Sequence, residues 1–147
     1  MTPTSQKQIC TFYVDDHFFG VEASCVQEVI HYQEMTRVPL TPDCVCGLIN
    51  LRGQIVTAID MRKRLGFPDR PAGKLPMNVV INGEEGAVSL LVDRIGDVID
   101  VSAAEFEKPP NTLTGPTRDL IEGAYKLQGK LLLLLNTIQT MQLSSAA

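Results

Sequence analysis

At 147 residues the chain has room for one domain, or for two small subdomains sharing a core, since domains run about 100–150 residues. Its 44% hydrophobic and 20% charged residues suit a globular protein that buries a core, which leaves disorder only for the ends. A net charge of −4 gives no electrostatic footprint for nucleic acid, and no apolar run approaches the roughly 18 residues of a membrane span or a leader's apolar region.

In chain order, ICTFYV (Ile9 to Val14) carries β-branched and aromatic residues, DDH follows as a turn containing His17, and FFGVEA is a second strand. VQEVI then reads in two ways: a strand pairs Val26 with Glu28 on one face and puts Val29 on the other, whereas a helical turn brings Val26 and Val29 together. From Cys44, CGLINLRGQIVTAIDMRKRLG predicts two strands around a Gly turn with Arg52 at the tip, then a short basic helix capped by Asp60 and ended by Gly66. FPDRPAGKLP (Phe67 to Pro76) is a linker. NVVINGEEGAVSLLV is a hairpin turning at Asn82-Gly83, and EKPPNTLTGPTRD (Glu107 to Asp119) is a loop. LLLLL (Leu131 to Leu135) is far too short to span a bilayer and reads as a strand buried on both faces, one of which abuts the other half. Asn136 caps a last helix, and QLSSAA is expected to fray.

The chain repeats itself. Gly47-LINLRGQIVTAIDMRKRL aligns without a gap on Gly123-AYKLQGKLLLLLNTIQTM, matching Gly53 with Gly129, Asp60 with Asn136 and Arg52 with Gln128. GVEASCVQEVI likewise matches AVSLLVDRIGDVI with small adjustment. A duplicated small β-barrel follows, with closed edges and a groove between the copies.

Chemistry-bearing patterns are sparse. Cys44 and Cys46 are one residue apart, Cys10 and Cys25 stand alone, and no tetrahedral set is completed, so free thiols are expected and a metal is not. No glycine-rich phosphate loop follows a strand, which argues against a nucleotide cofactor. The acidic pairs Asp15-Asp16 and Glu84-Glu85 are read as solvated turn tips, and His17 and His31 as solvated or satisfied histidines. No catalytic residue is assigned.

VQEVI, TRVPLTP, GLINLRGQIVTAIDMRKRLG and LLVDRIGDVI together resemble the CheW family of chemotaxis coupling proteins, from Gln8 to about Leu143. The resemblance implies a mostly β fold of two five-stranded SH3-like β-barrels around a shared core, with short helices. It implies one CheW-like domain over 8–143 with about 15–75 in one barrel, about 8–14 plus 76–143 in the other, and flexible ends at 1–7 and 144–147. The function implied is a cytoplasmic, non-catalytic scaffold of two-component signalling. Such a scaffold joins the cytoplasmic hairpin of methyl-accepting chemoreceptors to the regulatory domain of a CheA-type histidine kinase, is recruited to membrane-associated receptor arrays without inserting in the membrane, and needs no cofactor. Whether other CheW-like domains join it in rings stays open.

By position, the resemblance places Val26, Glu28, Val29 and Thr36 near a receptor-binding groove, with Val98 of the second half facing them. Kinase contacts are expected on the Val21-to-Leu65 barrel and near the KPP loop, at Lys108 and Leu113; this loop lacks the aromatic that relatives carry. Arg52 is open between two roles, an interface cation or a fold support. Gln128 at the matching position shows that the fold asks for a polar group there and not for a charge. The alternatives are an adaptor of a non-flagellar chemosensory pathway, an enzyme using the groove with His31 or Glu28 as base, and, last, RNA binding, which would need exposed aromatics on a basic face.

Overall fold

The computed structural model describes residues 6–83 and 86–142. The Glu84-Glu85 pair and the 144–147 end lie outside the described residues. Among the described residues eleven strands and three short α-helices follow in order: β1 Gln6–Val14, β2 His17–Glu22, β3 Val26–Ile30, β4 Val45–Leu51, β5 Gln54–Asp60, α1 Met61–Leu65, β6 Met77–Gly83, β7 Gly86–Val92, β8 Arg94–Ser102, β9 Phe106–Glu107, α2 Gly115–Leu120, β10 Ile121–Leu127, β11 Lys130–Leu135 and α3 Thr137–Met141. β1 already contains Gln6 and Lys7, so the expected flexible end at 1–7 is too long. Among the described residues no helix is long and apolar enough to cross a membrane.

The strands form a six-stranded sheet, β8-β1-β2-β11-β10-β9, and a five-stranded sheet, β3-β6-β7-β5-β4. The two-part β architecture is as expected, but the chain is divided differently. β2 belongs with β8 to β11 rather than with the first half, and β6 and β7 belong with β3 to β5 rather than with the second. Each half therefore lends its first hairpin to the other half's sheet, through the parallel pairs β11 with β2 and β5 with β7. The expected split at about 15–75 fails because the leading hairpin moves as a unit, both strands together.

The repeat survives in the register. The β4–β5 ladder slips between Val45 and Gly47, and the β10–β11 ladder slips between the matching Ile121 and Gly123. Both glycines serve the same purpose. A Cβ on Gly47 would lie 2.6 Å from the Thr36 carbonyl oxygen, and one on Gly123 would lie 2.7 Å from that of Glu107. Thr36 bridges Leu48, and Glu107 pairs with Ala124, so these glycines admit the segment that ties the two edges of each sheet and curls it toward a barrel.

Three apolar clusters result. One lies inside the five-stranded sheet, with Ile49, Val56, Val80 and Leu91, and another inside the six-stranded sheet, with Ile9, Tyr125, Leu132 and Leu134. The third and largest holds Phe12, Phe19, Ile59, Val79, Ile81, Leu90, Leu133 and Leu135 from both sheets. Alternate leucines of the LLLLL run thus face the barrel interior and the shared core, which explains a strand without polar positions. With most of its buried apolar surface shared, neither half is expected to fold alone.

The helices end as their sequences dictate. Asp60 accepts a hydrogen bond from the Arg62 amide at 2.9 Å, Asn136 accepts from the Gln139 amide at 3.0 Å, and Gly66 takes the left-handed conformation, φ 81°, after α1. Thr117 of α2 donates to the Leu65 carbonyl, and the Arg64 guanidinium donates to the carbonyls of Gln139, Thr140 and Gln142 at the end of α3.

Candidate functional site

VQEVI is a strand, β3, at an edge of the five-stranded sheet. Strict alternation does not hold along it. The ladder to β6 pairs Val26 with Ile81, Glu28 with Val80 and Val29 with Val79, so a bulge at Gln27 resets the phase. Val26 and Val29 consequently share a face, packing half-buried against the shared core together with Ile95 of β8. Glu28 takes the other face. The structure thereby joins the two readings of this segment: it is a strand, yet the two valines stand together.

Glu28 meets Arg52. The guanidinium at the β4–β5 turn ion-pairs with the Glu28 carboxylate, whose side chain is only 20% exposed against 70% for Arg52. Arg52 has φ 51° and Gly53 φ 90°, the left-handed pair that a tight two-residue hairpin turn requires. Asn50 supports the turn by accepting a hydrogen bond from the Gly53 amide at 2.9 Å. The matching Gln128 does not share the positive φ, so the two turns differ in backbone as well as charge. Glu28, expected near the receptor groove, and Arg52, expected as a kinase contact, an interface support or a fold support, thus form one unit.

The remaining expected residues are dispersed. Thr36 is exposed and exchanges two backbone hydrogen bonds with Leu48, at 2.9 and 2.8 Å. Val98 lies on β8 in the other sheet, paired with Cys10 and 56% exposed; it occupies the position in β8 that Val29 holds in β3. Lys108 is exposed in the loop after β9. Leu113, in the same loop, leans on the shared core and borders an open cleft of about 520 Å³ with Tyr13, Phe18, Lys130 and Leu131.

That cleft offers little to an enzyme. Its one histidine, His17, opens β2 rather than sitting in a turn, shares a 2.9 Å hydrogen bond with the Asp15 carbonyl through Nδ1, and stacks on Phe67. No serine or cysteine lines the walls. Lys130 instead donates to the Tyr13 hydroxyl at 3.0 Å, and Arg94 covers the Tyr13 ring at 4.2 Å. Among the described residues no cluster of three potential metal ligands occurs. The four cysteines are unpaired, and burial pushes the Cys10, Cys44 and Cys46 thiols up from their ordinary range, which disfavours the thiolate.

Sequence reasoning missed the strongest electrostatic feature. The Arg62 guanidinium, in a helix read simply as basic, contacts Asp93 at 2.6 Å and the carbonyls of Pro68 and Asp69 at 3.0 and 3.3 Å. Arg70 reaches Asp93 at 3.0 Å, and the Asp15 amide donates to Asp93 at 2.8 Å. Burial pushes the Asp93 carboxyl up, but the hydrogen bonds from Arg62, Asp15 and Arg70 outweigh it and hold the group below the usual carboxylate range. Asp93 sits where the chain crosses from one sheet to the other, so this network pins that crossover, the linker and the β1–β2 turn together. A usable signal was present: Arg62 stands between Met61 and Leu65, both buried, in a helix too short to turn it fully to solvent.

The profile of the CheW-like domain matches residues 8–144. The chain belongs to the CheW family. It is 33% identical over 129 residues to the chemotaxis protein CheW of Bacillus subtilis, covering 88% of this chain and 82% of that protein. It is 29% identical to the one from Treponema pallidum, covering 82% and 74%. The crystal structure of the scaffolding protein TtCheW from Thermoanaerobacter tengcongensis superimposes with a TM-score of 0.80 at 29% identity, covering 88% of each chain. The two-part β fold with short helices is therefore the CheW fold.

Proposed function

We propose that the protein is a non-catalytic chemotaxis scaffold of the cytoplasm, recruited to membrane-associated receptor arrays, where it joins a chemoreceptor's cytoplasmic hairpin to the regulatory domain of a CheA-type kinase. Membership of the CheW family supports the scaffold role. The observation that carries the receptor assignment is the bulge at Gln27, which gathers Val26 and Val29 on one face of an edge strand. An apolar pair on an edge suits an amphipathic helix, which binds through anchors on one of its faces. Thr36, beside Gly47 at the barrel's closure, joins the receptor surface, Val98 takes the corresponding role at its place in β8, and Lys108 and Leu113, on the loop between β9 and α2, serve the kinase.

Arg52 acts through Glu28 in this reading, supporting the receptor-side edge rather than a separate kinase contact. The test is titration of the protein with a receptor hairpin tip and, separately, with a kinase regulatory domain. Saturable binding to both, with no competition between them, is expected. Binding to neither sinks the scaffold reading, and mutual exclusion sinks the separation of the two surfaces.

A further inference from the structure

The interiors of the two barrels differ in polarity at a diagonal pair of repeat-related positions. Counted from the hairpin turns, Ile9 and Gly20 of β1 and β2 match Asn78 and Ser89 of β6 and β7. Ile9 fills the space over Gly20, where a Cβ would lie 2.4 Å from its Cγ2. Asn78 and Ser89, 1% and 0% exposed, place a polar pair in the other barrel beside Val80 and Leu91. Burying a carboxamide among aliphatic side chains is costly unless each of its groups is partnered. Here they are. The Ser89 hydroxyl donates to Asn78 Oδ1 at 2.6 Å, and Asn78 Nδ2 donates to the His31 carbonyl at 2.9 Å.

His31 is the first residue beyond β3. In the six-stranded sheet the matching strand runs on, β8 continuing past Ile99 to pair as far as Ser102 with Gln6. In the five-stranded sheet pairing stops at Ile30 with Asn78, and the chain leaves the sheet to reach Thr36 and its bridge to Leu48. The Asn78 carboxamide takes up the carbonyl at the point of departure. The segment from His31 to Met35 is thus fixed at both ends, by Asn78 at one and by the Thr36–Leu48 bridge at the other, with Met35 packed against the barrel interior.

We propose that Asn78 and Ser89 are positioning residues for the receptor-binding edge: an internal latch that ends β3 at Ile30 and holds Glu28, Val29 and Thr36 in the arrangement a receptor helix meets. This rests on the receptor assignment of β3 made above. The latch also accounts for inequivalence between two faces that the repeat would otherwise make alike: in the six-stranded sheet the Thr11 hydroxyl donates to the Asp97 carbonyl at 2.6 Å, within β8, and the Ile9–Gly20 pair places no polar group at Ile99 to end that strand.

The deciding variant copies one repeat into the other. Asn78→Ile with Ser89→Gly installs a pair that already packs at the matching place, so the protein should melt within about 5 °C of the parent, the change expected for about 1 kcal/mol. Hydrogen exchange of the free protein should speed by about tenfold or more at the amides from His31 to Thr36 and stay unchanged in β10 and β11. Affinity for a receptor hairpin tip should fall by about tenfold, with kinase-domain affinity unaltered. Ser89→Ala, which keeps the carboxamide but removes the hydroxyl that orients it, should give the same pattern more weakly, and serves if the double variant fails to fold. Val26→Asp is titrated alongside. Unchanged exchange across 31–36 in a folded variant overturns the latch, as does unchanged receptor affinity while Val26→Asp loses binding. If Val26→Asp also binds normally, it is the receptor assignment that fails, and the exchange data alone decide whether the latch exists.

Discussion

Arg52, at the tip of the β4–β5 hairpin, ion-pairs with Glu28 on β3, although β3 and β4 are the two opposite edges of their sheet. The pair therefore closes the barrel, alongside the Thr36–Leu48 bridge. Being largely exposed on the arginine side, it is expected to add less than about 1 kcal/mol to stability. Arg52→Asn should leave the fold intact, because asparagine tolerates the left-handed turn better than arginine does. Receptor-dependent kinase activation should nevertheless fall, since Glu28 loses the partner that fixes it. Thermal melting paired with a reconstituted activation assay checks this; a loss of several kcal/mol would make Arg52 a fold residue.

The Arg62–Asp93 contact should behave oppositely. Both side chains are mostly buried, and Asp93→Ala leaves the Arg62 and Arg70 guanidinium groups facing each other without their shared carboxylate. Breaking one side of such a network costs about 3–5 kcal/mol. Urea denaturation should show a lower midpoint with an unchanged slope. A midpoint within error of the parent would mean that water replaces the carboxylate at no cost.

Acid should expose the same group. Asp93 is held below its unfolded value of about 3.9, so its contribution is complete above that pH and is lost as pH falls through the folded value. Stability should accordingly decline below about pH 4. In Asp93→Asn, less stable at neutral pH, the difference from the parent should shrink as pH drops. Denaturation midpoints at pH 7 and pH 3 for the two proteins check the sign.

Much of this fold was legible because the duplicated hairpin and helix carry their signals locally: Gly at turns, Asp60 and Asn136 at caps, leucines on both faces of β11. The exchange of leading hairpins was not legible, because pairing β2 with β11 and β7 with β5 leaves each strand's own pattern unchanged. The site was half legible. VQEVI and Arg52 were singled out, but a bulge has no fixed sequence signature, and the Glu28–Arg52 contact joins segments that only barrel closure brings together. Arg62 was passed over because a basic helix ordinarily points its charges at water.

Gly47 should tolerate no side chain. Its Cβ would lie 2.6 Å from the Thr36 oxygen, a backbone atom that cannot swing aside without opening the closure between Thr36 and Leu48. Gly47→Ala should cost about 1–3 kcal/mol, the usual penalty for forcing backbone shifts in a packed region. It should also weaken receptor binding through Thr36. Denaturation and receptor titration check both, and a variant as stable as the parent would show that the closing segment is free to move.

Val26→Asp tests the receptor face most directly. Val26 is half-buried, shares its face with Val29, and leans on the shared core, so aspartate there both discards an apolar anchor and presents a charge to an apolar partner. Receptor affinity should fall by about 2 kcal/mol or more. Because the site is at an edge and only half-buried, the carboxylate can turn to solvent, and the fold should survive. Glu28→Lys is the complement. It sets a second cation beside Arg52, so its effect should be smaller at high salt, where the screening length shrinks to about 3 Å at 1 M. Neither change touches Lys108 or Leu113, so kinase-domain affinity should hold. Titrating each variant against both partners at two salt concentrations separates the outcomes: equal loss for both partners signals misfolding, and intact receptor binding in Val26→Asp removes β3 from the receptor site.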